Sequence, residues 1–158
     1  MIDFTDEQFK EVKQKAEELY KSLGEVYCPY FKEKISFNAQ ELWHLSHKRR
    51  DWPRKIKDEY MRYKLFHLAP QILNDSHTLQ GIWETKGFER VRVNSRTETV
   101  LKFVTYYEFI SVIQKNRIKI IVKQIDSDQK FYWSIIPFWR MRKSAFTRTL
   151  HEGSPEEY

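Results

Sequence analysis

His44 and Lys48 stand four residues apart in a segment that reads as a short helix, so both side chains fall on one helical face. An imidazole beside a cation can move a proton and can stabilise a phosphorane-like transition state. Cleavage of RNA through the ribose 2′-hydroxyl needs those two functions and no metal. His47 lies three residues from His44 and could take its place. The plainer alternative is a histidine that fills space beneath a sheet. A second set, Glu108, Lys123, Tyr132 and Ser134, falls on strands and is expected on one sheet face. A carboxylate, an amine and two hydroxyls there could bind phosphate and shuttle protons. They could equally be a cross-strand ion pair on ordinary polar surface.

The basic run from Lys48 to Lys57 has six bases and one acid, with Trp52 inside it. Arg49, Arg50 and Arg54 suit phosphates, and the indole suits a stacked base. The alternative is a solvated helix face. Arg140 and the bases after it extend the same kind of surface. His77 is a third, weaker candidate. His44 and His47 could ligate zinc from adjacent turns, but no third ligand accompanies them. There is no phosphate-cradling glycine loop or nucleophile elbow. No metal or other cofactor is expected.

These groups need elements to hold them. Thr5 to Leu23 has helical spacing of Phe9, Val12, Ala16, Leu19 and Leu23, a capping-box pair in Thr5 and Gln8, and Gly24 as a stop. The first 25 residues carry seven acids and four bases, so this helix is expected to pack rather than to meet phosphate. Residues 26–37 read as extended chain broken by Pro29. Asn38 and Glu41 cap the short helix that carries His44. Pro53 fits the first turn of a further helix reaching about Leu68, and Pro70 starts a short helical turn.

From Thr78 the period changes to two. Strands are expected over 78–84 and 88–93 around a Lys86-Gly87 turn, then over 101–113, 117–125 and 130–136. Short connections make these an antiparallel meander of four or five strands. A turn at Ser127-Asp128 pairs Lys123 with Tyr132 and Val122 with Trp133. A turn at Lys115-Asn116 sets Glu108 opposite Lys123. One face then carries Ile118, Ile120, Val122, Phe131, Trp133 and Ile135 as core, and the other carries Lys119, Lys123, Tyr132 and Ser134. The fold class is α+β: one domain over 1–140, with N-terminal helices before the sheet and a polar, basic tail over 141–158.

The net charge of +6 favours phosphate-rich partners. A single cysteine, Cys28, excludes an internal disulfide and points to a reducing, cytoplasmic compartment. No signal peptide is expected, and no apolar run reaches the roughly 20 residues that span a bilayer.

The layout of helices, a His/Lys segment and a closing meander resembles the barnase–EndoU–colicin–RelE-like nucleases, in particular their small phage- and mobile-element-associated branches. The residues that carry it are ISFNAQELWHLSHK at Ile35 to Lys48 and IKIIVKQIDSDQKFYWSIIPFW at Ile118 to Trp139, about a quarter of the chain. The resemblance implies metal-independent RNA cleavage that leaves a cyclic phosphate. It implies His44 as general acid and base, Lys48 and Lys123 as phosphate ligands, and Ser134 as a polar contact on the last strand. RNA is then the expected partner, with a protein inhibitor or antitoxin as a second. Two other classes stay open: a non-catalytic RNA- or DNA-binding module, and a protein-interaction domain.

Overall fold

The computed structural model describes residues 3–37, 47–49, 52–53, 55–113 and 116–137, with the backbone alone at 47–49, 52–53 and 90–92. The fold is α+β. Helix α1 (Asp6–Leu23) begins at Thr5, whose hydroxyl accepts from the Gln8 N–H while the Gln8 side chain accepts from the Thr5 N–H. Gly24 ends it at φ +62°, a conformation that a side chain would strain. Strands β1 (Glu25–Cys28) and β2 (Glu33–Ser36) make a short antiparallel hairpin from the segment expected to be merely extended.

Strands β3 (His47–Arg49) and β4 (Trp52–Pro53) pair with each other. Pro53 therefore sits in a strand and not in a helical first turn. Helices α2 (Ile56–Leu65) and α3 (Leu68–Asp75) follow. Four long strands complete the chain: β5 (Gly81–Val93), β6 (Arg96–Ile113), β7 (Asn116–Ile125) and β8 (Phe131–Pro137). They form the expected antiparallel meander. The hairpin β1–β2 then extends it to six strands in the order β1-β2-β8-β7-β6-β5, through one parallel step between Ser36 and Phe131.

The helices cover one face. Tyr20 and Phe66 stack at 5.3 Å, and both meet Tyr132 of β8 edge-on. Phe109, Ile118, Ile120, Val122 and Ile135 complete this core from the sheet side. Burying such residues stabilises by about 1.5–3 kcal/mol per large side chain. Among the described residues no helix is long and apolar enough to cross a membrane.

β5 holds no turn at Lys86-Gly87. It runs unbroken and pairs with β6 from Gly81↔Glu108 to Val93↔Arg96. The chain reverses instead at Asn94 (φ +48°) and Ser95 (φ +68°), the two positive φ values that a two-residue hairpin of the right twist requires. β7 begins to accompany β6 only at Val104↔Ile125. The pairs beyond that point, Lys86↔Phe103 to Val93↔Arg96, therefore stand out from the sheet as a two-stranded ribbon.

Candidate functional site

Two features could carry function: a set of charges held on the sheet face opposite the helices, and the projecting ribbon. The first follows from the alternation in β7. Ile118, Ile120 and Val122 point to the helices, so Lys119, Ile121 and Lys123 point the other way. Lys119 is 0% exposed, and its Nζ lies 3.6 Å from Glu108 Oε2. Burial pulls the Lys119 amine down to about 8, opposed by the carboxylate. Burial likewise raises the Glu108 carboxyl, opposed by the ammonium. Gly81 lies directly across from Glu108, and a Cβ there would sit 2.6 Å from Glu108 Oε2. The missing side chain is the notch that receives the carboxylate.

Lys123 takes a different partner. Its Nζ is 2.6 Å from Glu89 Oε1, and it lies over the Trp133 ring at 4.0 Å and the Tyr106 ring at 5.6 Å. Glu108 and Lys123 were expected opposite each other. Ile113 pairs with Asn116, so the register slides by two: Glu108 faces Ile121, and Lys123 faces Tyr106. An even slide keeps every side chain on its face but exchanges ion-pair partners.

Ser134 and Tyr132 part company. A bulge between Ile121 and Val122 sets Val122 opposite Tyr132 and Ile121 opposite Ser134, with Trp133 as the extra residue. Tyr132 is thereby turned into the helix-side core, fully buried, and Phe131 and Trp133 go to the opposite face. The expected set loses Tyr132, which offers nucleic acid no surface in this fold. Ser134 is fully buried and accepts from Arg62 Nη1 at 2.7 Å. The same nitrogen donates to the Ile135 carbonyl at 2.7 Å, and Arg62 Nε bonds Asp58 at 3.1 Å. β2 leaves β8 after one paired position, and Arg62 reaches the strand where, among the described residues, no neighbouring strand does.

Glu108, Lys119, Lys123 and Ser134 thus share one face, each engaged inside the fold. His44, Arg50, Arg54 and Arg140 lie outside the described residues. Lys48 and Arg49 fall in strand β3 and Trp52 in β4. An extended β3 removes the helical geometry on which the His44/Lys48 pairing was built. His77 lines a separate cleft of about 250 Å³ with Asp75, Ser76, Thr78 and Ser111, at the end of α3. Among the described residues no group of three or more His, Cys, Asp or Glu side chains could hold a metal ion.

The ribbon is the feature that the expected site lacked. Phe88 is 75% exposed and Phe103 64%, with Leu101 and Ile82 also open. Phe88 pairs with Leu101 and Lys86 with Phe103, so all four lie on one face. The Lys86 ammonium sits 5.1 Å from the Phe103 ring centre. The available signal was Lys86, Phe88, Arg90 and Arg92 at every second position, hidden because Gly87 read as a turn. In comparisons with known proteins, no family model, no curated protein and no solved structure matches this chain.

Proposed function

We propose that this protein binds single-stranded RNA on the exposed face of the β5–β6 ribbon. One observation carries the reading: Phe88, Leu101 and Phe103 stand open beside Lys86 on a projecting strand pair, in a chain of net charge +6. Open aromatic faces are sequence-tolerant platforms for bases, and amines between them meet the phosphates. The basic run that includes Arg49, Arg50 and Arg54 adds phosphate contacts to this reading. The lone, buried Cys28 fits a reducing cytoplasm.

Fluorescence anisotropy with a short unstructured RNA tests it. Phe88→Ala and Phe103→Ala are each expected to weaken binding by roughly 1–3 kcal/mol, the usual worth of one stacked base. Neither changes the salt dependence, since neither touches a phosphate. Lys86→Ala does the reverse, removing about 0.7 from the logarithmic salt slope. Affinity indifferent to both phenylalanines takes the ribbon out of the interface.

A second reading is metal-independent RNA cleavage through the 2′-hydroxyl. The observation that favours it is the Lys119–Glu108 pair, because titratable groups displaced by burial in one cluster mark many catalytic sites. In that reading His44 is the general acid and base, and a protein inhibitor or antitoxin is the natural partner. Cleavage that survives EDTA and is lost in His44→Ala supports it; intact RNA after long incubation with the wild type removes it.

A further inference from the structure

We infer that two copies of this chain join through the outer edge of β5, making one continuous sheet. The inference does not depend on RNA. β5 ends the sheet order, and among the described residues no strand pairs with its outer edge. Such a long open edge with apolar neighbours is a template for another strand.

The backbone fixes which groups face outward. The Asp126 side chain accepts from the Phe103 N–H and its N–H donates to the Phe103 carbonyl, so Phe103 turns its backbone toward β7. Alternation then turns Gly87 toward β6 and turns Glu84, Lys86, Phe88 and Arg90 outward. A twofold axis through Gly87, the midpoint of the strand, overlaps β5 along its full length. It sets Glu84 opposite Arg90 of the second copy and Lys86 opposite Phe88. No like charges meet. Moving the axis one residue either way sets Lys86 against itself or against Arg90, and moving it to Thr85 pairs Glu84 with Lys86 but overlaps only residues 81–89, so charge and overlap together select the Gly87 register.

Gly87 is the second observation. A glycine inside a strand costs about 0.5–1 kcal/mol against alanine and often marks a bulge or a close backbone approach. The pairing here has no bulge, and φ is not positive. A Cβ would meet Val104 Cγ2 at 3.4 Å and Glu89 Oε1 at 4.0 Å, both ordinary contacts. Among the described residues nothing demands glycine there. At the axis, residue 87 faces its own copy in the non-hydrogen-bonded type of antiparallel pair, where the missing side chain lets the two backbones approach freely.

Sedimentation velocity over a concentration series, without RNA, tests the dimer. The wild type is expected at twice the chain mass. Glu84→Arg or Arg90→Glu alone should weaken the dimer about tenfold or more, and the two together should restore it, because the charges exchange places. A wild type that remains monomeric overturns the inference, as does a dimer indifferent to the single reversals.

Discussion

Lys119→Met is expected to lower stability by about 3–5 kcal/mol in urea unfolding. Breaking a buried ion pair by removing one partner leaves the other charge desolvated, and this costs more than the pair contributes when intact. Methionine keeps most of the length of the side chain, so lost packing is a minor part. Replacing both, Lys119→Met with Glu108→Met, should recover most of the loss, because neither buried charge then remains. A single variant as stable as the wild type would mean that the pair is solvated.

The pair also gives a pH signature. The folded pKa of Lys119, about 8, lies below the ordinary 10.5. The stability linked to that shift is fully present above pH 10.5 and is lost as pH falls through about 8. Glu108 has the opposite sense: raised above 4.5, it contributes below that value and loses the contribution as pH rises through its folded pKa. Around neutral pH both groups therefore weigh against the fold. Relative to the double variant, the wild type should gain stability from pH 8 to 10.5. A flat difference across that range would contradict the assignment.

Arg62→Ala is expected to lose about 3 kcal/mol, from two bonds of a charged donor at roughly 1.5–3 kcal/mol each, partly recovered by water. The guanidinium serves the β8 edge beyond its one paired position with β2, reaching Ser134 Oγ and the Ile135 carbonyl from one nitrogen while Asp58 holds the other side. Arg62→Lys should recover less than half, because a single ammonium does not reproduce that planar fork. Full stability in either variant would show that the β8 edge needs no such cap.

Much of the architecture was legible in the sequence. Thr5 and Gln8 close the capping box that their spacing announces, and the apolar stripe of α1 reaches the core through Ala16, with Phe9, Val12, Leu19 and Leu23 packed against it; Tyr20, outside that stripe, is buried as well. The alternation in β7 places Lys119 and Lys123 on the face of Glu108. Register was harder to read. Around Trp133 both sheet faces are apolar, so Phe131 to Ile136 offers no period that would reveal a bulge. That one extra residue sends Tyr132 to the core. Gly87 misled because glycine more often marks a turn; the true turn, Asn94-Ser95, carries a weaker signal. The parallel step from β2 to β8 joins residues nearly a hundred positions apart, and local patterning is silent on it.

Photo-cross-linking of an iodouridine-substituted single-stranded RNA, with the adducts mapped by mass spectrometry, tests the central claim most directly. Excited iodouridine couples to aromatic side chains stacked on it. Adducts at Phe88 and Phe103, suppressed by unlabelled competitor RNA, are the expected result. Adducts confined to other parts of the chain, or none at concentrations that saturate binding, would contradict it.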